Sequence, residues 1–249
     1  MMKKLTLLTF VCALGLTMQA AAYSNSDLAT VKNGGSCPGG DLSGADLAGM
    51  DLSGRNFTGA DFTEARLSGA NLDKAQLQGA KFRSALVVKT SFRNAELADC
   101  DFTYAAAGEA DFTNANLQGS QFFRSRLQRA KLLNANLQHA QIQEAVWDGA
   151  QGDFADFSYA SLPYSWLRSA SLKNATFYGA NMYNIHLQKA DLTEADLRST
   201  KLGKGDLSQS KLNKALFDRA MLDEADLRGA EMEYTRFGTA FKDNAKIDK

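Results

Sequence analysis

The stretch Ala45-Asp46-Leu47-Ala48-Gly49 is repeated in kind every five residues, from Gly40 to about Thr239. Each unit has a large apolar residue at its centre, as at Leu42, Leu47 and Phe237, and a small residue two positions earlier. Of the 40 small positions, 27 hold Ala and ten more hold Gly, Ser, Thr or Cys. Helices and strands have periods of about 3.6 and 2 residues and do not produce this pattern. The repeat therefore decides the fold ahead of local propensity.

Units such as Ala45–Gly49 and Ala195-Asp196-Leu197-Arg198-Ser199 resemble the A-(D/N)-L-x-x signature of pentapeptide-repeat proteins. The resemblance covers residues 40–239, roughly four fifths of the chain. It implies an all-β fold, a right-handed quadrilateral β-helix with one pentapeptide on each face and four in each coil. Residues 40–239 would then form about ten 20-residue coils, in a rod about 48 Å long at the spacing of β-strands.

The pattern also predicts which side chains pack inside the rod. Aromatic ladders are expected where Phe recurs every 20 residues, as at Phe62, Phe82, Phe102 and Phe122. Exceptions in the small positions are Met50, Arg55 and Ile185; exceptions at the centres are Val87, Ala107, Trp147 and Gly152. We expect Trp147 to fill the volume that Gly152 leaves; the alternative is a distortion that exposes Phe154. The two positions after each centre, Thr103 among them, are expected to face solvent.

Residues 1–22 have the features of a secretory signal peptide. Lys3 and Lys4 are basic, residues 5–18 are apolar, and Ala20-Ala21-Ala22 forms a small-residue cleavage site before Tyr23. The apolar run is shorter than the roughly 20 residues that span a membrane comfortably. We therefore expect cleavage between Ala22 and Tyr23, and a periplasmic or secreted mature chain without a membrane span.

The segments outside the repeat are expected to cover the ends of the rod, because open β-edges invite association. Residues 23–39 are predicted to form an N-terminal cap, with a helical turn from Ser26 to Val31 that ends at Asn33-Gly34-Gly35. Residues 240–249 are predicted to form a charged C-terminal tail. The C-terminal dimerisation helix known in the family is missing, so we expect a monomer or a weak dimer.

Charge and cysteine usage exclude several classes of protein. Without Lys3 and Lys4 the chain carries 26 basic and 28 acidic residues, so a basic nucleic-acid-binding stripe is not expected. The same balance opposes a strongly acidic mimic of nucleic acid. Cys37 and Cys100 lie about three coils apart, which at about 15 Å is too far for a disulfide unless the N-terminal segment folds back along the rod. Cys100 also occupies an inward position, where a buried thiol is expected.

No motif indicates catalysis, a cofactor or a metal. The two histidines, His139 and His186, fall on different faces of the predicted rod, and no pair of cysteines has the spacing of zinc ligands. A nucleophile elbow and a phosphate-binding loop are both missing from the sequence. Paired aspartates before the centres, such as Asp41 and Asp61, belong to the repeat signature itself. The sequence therefore predicts a non-enzyme.

One group of outward residues departs from the repeat. Around the corner between the first and second faces, positions that elsewhere hold Ser, Thr, Gly, Glu or Gln become aromatic and basic in the middle of the rod. These residues are Tyr104, Phe123, Arg124, Arg126, Tyr164, Trp166, Arg168, Tyr183 and His186. Exposed aromatic residues with Arg are enriched where partners bind. The alternative is that large side chains simply cover the wall of a thin rod.

The sequence thus predicts an exported, non-catalytic scaffold or binding rod that docks a protein, or an envelope glycan, at this corner. The identity of the partner is left open. An alternative comes from the best-known activity of the family, in which a rod resembling duplex DNA occupies the DNA-binding saddle of type II topoisomerases. Export and near-neutral charge both oppose this alternative, because the target is cytoplasmic and the mimicry needs an acidic surface.

Overall fold

The computed structural model describes residues 23–248, so the predicted signal peptide lies outside the described residues. One α-helix, α1, spans Asn25–Lys32. From Asp41 to Lys246, single residues form parallel β-bridges with the residue 20 positions further along, from Asp41↔Asp61 to Asp226↔Lys246. Four five-residue units therefore complete one coil, and each unit forms one face of a four-sided rod.

Isolated bridges take the place of the extended strands that an all-β prediction suggests. Within each unit, two of the five residues form a turn, which leaves one bridged residue flanked by two buried ones. The N–H of a centre residue donates to the following coil, as from Leu47 to the carbonyl of Arg66 at 2.8 Å. The N–H of a bridged residue donates to the preceding coil, as from Asp61 to Gly40 at 2.8 Å. Coils are thus joined in both directions without long strands.

The turns explain why glycine is frequent but not required at the corners. The N–H of Ala45 donates to the carbonyl of Leu42 at 3.0 Å, and the intervening Gly44 has a φ of 67°. The same positive φ recurs in the corresponding residue of most other units, including thirty non-glycine residues between positions 23 and 248. This conformation disfavours side chains by about 1–2 kcal/mol per residue. The corner nevertheless accepts them because they project into open solvent.

The interior confirms the predicted aromatic ladders. Phe62, Phe82, Phe102 and Phe122 are fully buried and stack with ring centroids 5.0, 4.7 and 5.0 Å apart. Shorter ladders join Phe92 to Phe112 at 4.9 Å, Phe157 to Phe177 at 4.8 Å, and Phe217 to Phe237 at 5.2 Å. Cys100 is buried as predicted, and its thiol donates to the carbonyl of Leu77 at 3.0 Å.

Trp147 is accommodated without a change in the repeat. Its ring is buried between Phe122 and Phe157, with centroids 5.2 and 6.4 Å away. The space beside Gly152 is filled chiefly by Leu172 and not, as predicted, by Trp147, since an added β-carbon would meet Leu172 at 3.1 Å and then Ala155 and Leu132 at 3.8 Å. Phe154 is 57% exposed because it stands at a corner position, and not because the coil is distorted.

The N-terminal segment covers the first coil. Helix α1 begins one residue before the predicted turn and ends one residue after it, and the Ser24 hydroxyl at its N-cap accepts from the N–H of Asp27. Leu28 and Val31 are buried against the rod. Arg55, an exception to the small-residue rule, donates from Nη1 to the carbonyl of Val31 at 2.9 Å. An irregular residue of the first coil therefore helps to hold the cap.

Two predictions about the surface are wrong. Thr103 was expected to face solvent but is only 6% exposed, because its neighbours in the adjacent coils at the same position are the long side chains of Arg83 and Phe123. The predicted tail, residues 240–249, is not separate from the rod: as far as Lys246 it continues the repeat, since Phe241 and Lys246 still form bridges with the preceding coil.

Candidate functional site

The coil length places the predicted site residues in three adjacent columns. Here the first face is the one centred on Phe62 and Phe102, the next three faces follow in chain order, and the first corner is the turn between the first and second faces. Eight of the nine predicted residues lie on this corner or beside it. Phe123 and Tyr183 lie on the first-face side of this corner. The corner itself holds Tyr104, Arg124 and Tyr164, and the second face holds Arg126, Trp166 and His186.

Aromatic pairs link neighbouring coils along the first corner. Tyr104 meets Phe123 edge to face with centroids 5.8 Å apart, and Tyr164 meets Tyr183 in the same way at 5.9 Å. The Arg124 guanidinium lies 5.0 Å from the centre of the Phe123 ring and forms a 2.7 Å ion pair with Glu144. The hydrogen bond to Glu144 raises the pKa of Arg124. The charge of Arg124 is therefore already matched by a carboxylate.

The outward positions of the second face form a mostly apolar column. Trp166 stacks on His186 with centroids 5.3 Å apart and ring planes 8° apart. We call the six successive outward residues of this face the second-face column; they are Leu86, Ala106, Arg126, Val146, Trp166 and His186. Leu86 is 44% exposed. Leu86 and Ala106 are not among the predicted site residues, although counting back 20 residues at a time from Arg126 would have found both.

Arg126 supplies the charge of the second-face column. Its neighbours in the column, Ala106 and Val146, are uncharged. Among residues 23–248, no carboxylate lies within ion-pair distance of its guanidinium, whereas Arg124 and Arg168 each have one. An exposed guanidinium between apolar neighbours retains its full capacity to hydrogen-bond to a partner.

Arg168 does not belong to this surface, contrary to the prediction. It lies at the second corner, across the second face from Tyr164, because it follows the centre residue Leu167. Its guanidinium donates to both carboxylate oxygens of Asp148, at 3.1–3.2 Å from Nε and 2.5 Å from Nη2. This bond raises the pKa of Arg168. Arg168 therefore links two neighbouring coils through its ion pair with Asp148.

A shallow depression adjoins the first corner on its first-face side. It has a volume of ≈ 680 Å³, and its wall includes Tyr164 and Tyr183. Gly203 lies behind Tyr183 in the next coil and leaves this space open, since its missing β-carbon would be only 3.4 Å from the Tyr183 ring. Nearby, a hydrogen bond to Tyr183 and the charge of Glu224 raise the pKa of Lys204.

A second group of aromatic residues was missed by the sequence analysis. It lies at the fourth corner, on the other side of the first face. His139 stacks on Tyr159 at 5.4 Å, Tyr159 meets Tyr178 edge to face at 5.6 Å, and Arg198 lies 5.7 Å from the centre of the Tyr178 ring. The sequence does contain a sign of this group: His139 and Tyr159 are 20 residues apart, so they occupy the same position in successive coils.

Groups that could support catalysis are dispersed over the described residues. In residues 23–248, no three His, Cys, Asp or Glu side chains converge in a way that could hold a metal ion. Cys37 and Cys100 are free, buried thiols, and burial raises the pKa of both. None of the helices in this part of the chain has the length and apolarity needed to cross a membrane.

The geometry defines a four-sided β-helix of stacked pentapeptides, with an aromatic and apolar surface on one side. The family model for a pentapeptide repeat region matches residues 55–130, and the model for pentapeptide repeats in eight copies matches residues 135–174, 170–209 and 206–237. The chain therefore belongs to the pentapeptide-repeat family, whose solved members form right-handed quadrilateral β-helices. No individually curated protein matches it.

Solved structures of the same fold include HetL, a pentapeptide repeat protein involved in heterocyst differentiation regulation from the cyanobacterium Nostoc sp. strain PCC 7120. HetL is 23% identical over 88% of this chain and 94% of its own, with a TM-score of 0.66. Full-length QnrB1, a plasmid-mediated fluoroquinolone resistance protein, is 19% identical over 82% of this chain and 92% of its own, with a TM-score of 0.35. At 23% identity, the likeness to HetL shows the fold alone.

Proposed function

We propose that the mature chain is an exported, non-catalytic rod of about ten coils that docks a protein through the second-face column and the aromatic residues of the first corner. The observation that carries this proposal is the second-face column itself, in which Arg126 is the one permanently charged residue over six coils. The outward columns of the third and fourth faces carry at least two charged residues in any six coils, and the first face, although uncharged from Gln121 to Asn181, is polar there and not apolar. Depletion of charge together with aromatic residues and Arg is typical of the centre of protein interfaces.

The ring geometry favours a protein over a glycan. Sugars stack on the faces of aromatic rings, but one face of Trp166 is covered by His186, and Val146 is its neighbour on the other side. The rings therefore present their edges and polar atoms to a partner. Such contacts suit a polypeptide surface, where Trp, Tyr and Arg supply most of the binding energy.

The size of the surface fits a modest interface. Six coils span about 24 Å at the spacing of β-strands. Trp166 and Arg126 lie two coils apart within it, and the exposed Tyr164 borders it at the corner. We expect Trp166 to be the principal anchor, since truncation of an interface Trp typically costs about 2 kcal/mol or more.

Mimicry of DNA receives little support from the distribution of charge. On the first face, the outward column begins Asp41, Asp61, Lys81 and Asp101 and then has no charge until Lys201. Ion pairs across coils, such as Lys214 with Glu194 at 2.8 Å, neutralise many carboxylates. A surface that resembles the phosphate backbone would require long rows of unpaired negative charge.

The proposal is tested by affinity capture from an envelope extract with the mature chain and two double variants. Arg126→Ala/Trp166→Ser alters the second-face column. Leu216→Ser/Arg236→Ala is a matched control, because it removes an apolar residue and an arginine from outward bridged positions of the fourth face. Unfolding midpoints confirm that both variants are folded before capture.

We expect the wild type and the fourth-face control to retain the same partner, identified by mass spectrometry, and the second-face variant to retain at least tenfold less of it. If all three chains capture the same proteins in equal amounts, the second-face column is not the docking surface and the proposal fails.

A further inference from the structure

The middle of the first face is a second surface that the proposed function does not use. Its outward column is uncharged over four successive coils, and we call these four residues the first-face strip: Gln121, Gln141, Ser161 and Asn181. The positions beside the strip are also uncharged there, with Phe123, Gln143, Pro163 and Tyr183 on one side and Gln118, Gln138, Ser158 and Tyr178 on the other. On the third face, the same coils carry Lys131, Asp153, Lys173 and Asp191.

Aromatic residues border the strip at both corners. On one side Tyr164 and Tyr183 pack together, and on the other Tyr159 packs between His139 and Gly179. A β-carbon on Gly179 would lie 2.8 Å from the Tyr159 ring, so both faces of this ring are covered along the rod. Tyr159 is still 53% exposed, through its edge and hydroxyl.

Hydrogen bonds hold the strip in order across the face. The Gln143 amide donates to Gln141 at 2.8 Å and to the Ser161 hydroxyl at 3.2 Å, and the Gln141 amide donates to the carbonyl of His139 at 3.2 Å. Amides and hydroxyls contain both donors and acceptors. The strip can therefore bond to a surface of the same composition as itself, without any charge that would repel a copy.

The spacing of the strip selects the partner. Equivalent side chains recur once per coil, at about 4.8 Å, over about 14 Å. A partner that makes the same contact with each coil of the strip must itself repeat about every 4.8 Å. A second copy of this chain has this repeat. Symmetric dimers also require a self-complementary patch. From these features we infer that two rods associate side by side through the first-face strip, with the aromatic corners closing its two edges.

The footprint indicates a weak dimer. Four short rows form a small patch compared with the roughly 800 Å² that each partner buries in a standard interface. Because the strip is uncharged, its association depends little on ionic strength, whereas a contact built on ion pairs weakens as salt rises. The second-face column stays accessible in this arrangement, but the dimer and the proposed docking surface share the aromatic pair Tyr164 and Tyr183 of the first corner. The variants that test the dimer therefore leave the column and this pair unchanged.

The test is sedimentation velocity of the mature chain over a concentration series. We compare it with Gln141→Arg/Ser161→Arg, which places two like charges on the first-face strip. The matched control is Gln151→Arg/Ser171→Arg, the same two residue types at the same bridged positions of the third face. A third variant, Gln141→Glu/Ser161→Glu, is then mixed with the first-face arginine variant.

We expect a reversible dimer for the wild type and for the third-face control, with Kd changing less than threefold between low and high salt. The first-face arginine variant should dimerise at least tenfold more weakly, and mixing it with the glutamate variant should restore a heterodimer. If the wild type stays monomeric at every concentration, the inference is overturned, because the first-face strip does not bind a second copy of the chain. Equal effects of the two arginine variants, or a mixture that stays monomeric, also overturn it.

Discussion

Ile185 fills the interior space that Gly205 leaves one coil later. Both residues occupy the position that holds a small residue in most units of the rod, and both face inward. A β-carbon on Gly205 would lie 3.4 Å from Cγ2 of Ile185 and 2.9 Å from the carbonyl oxygen of Leu202. The large exception is tolerated because its neighbour along the same wall has no side chain.

This pairing predicts a coupled effect on stability. Gly205→Ala should destabilise the chain by about 1–3 kcal/mol, because an added carbon in a filled interior forces neighbours to move. In the Ile185→Ala background the same change should cost less, with a coupling energy above about 0.5 kcal/mol. Urea unfolding of the two single variants and the double variant measures this coupling. Strictly additive effects would show that the two positions are packed independently.

The aromatic ladder should dominate the stability of the coils that contain it. Phe102 is buried between Phe82 and Phe122, so Phe102→Ala should lower the free energy of unfolding by about 3–5 kcal/mol. Gln151→Ala, at an exposed outward position, should change it by less than about 0.5 kcal/mol. Chemical denaturation of both variants is sufficient. Equal midpoints would mean that the inward and outward positions have been assigned wrongly.

The five-residue period was enough to predict the fold and the inward side chains, because each residue's position in its unit fixes the direction of its side chain. The prediction that Thr103 is exposed was wrong because its burial depends on Phe123. Phe123 lies one coil away, and the five-residue pattern does not include contacts between coils. The prediction for Arg168 was wrong for a related reason: Arg168 is close to Trp166 in sequence, but it lies at the far edge of the second face, at the second corner and away from the first corner. Counting by 20 residues would have corrected both and would have found Tyr159.

Glycine should stabilise those corners that now hold other residues in the left-handed conformation. Ser169 has a φ of 55°, so Ser169→Gly should raise the free energy of unfolding by about 1 kcal/mol. Ser158 is the control, because it is the first residue of its turn and its φ is not in the positive range. Ser158→Gly should destabilise by a few tenths of a kcal/mol to about 1 kcal/mol through chain entropy. Thermal unfolding that ranks the two variants in the opposite order would contradict the turn assignment.

Stability should fall in acid because several aspartates before the centres have lowered pKa values. Burial acts to raise the pKa of Asp101, but hydrogen bonds from Thr103 and Arg83 outweigh it, and the resulting pKa lies below the usual 3.8. A group with a lowered pKa in the folded state contributes stability above its unfolded pKa and loses it as the pH falls toward the folded value. We therefore expect unfolding midpoints that are constant near neutral pH and decline below about pH 4.

Asp101→Asn should flatten part of this acid decline, since the substituted side chain no longer titrates. Gln151→Ala should leave the pH profile unchanged in shape. An acid decline of the same steepness in the Asp101→Asn variant as in the wild type would exclude a contribution from this carboxylate.

Export distinguishes the two functional classes most directly, because a docking rod of the envelope and a topoisomerase-binding rod work in different compartments. The measurement is the intact mass and the N-terminal sequence of the protein recovered from fractionated cells. We predict a periplasmic or secreted chain that begins at Tyr23. Full-length protein beginning at Met1 and confined to the cytosol would contradict export and favour the topoisomerase-binding alternative.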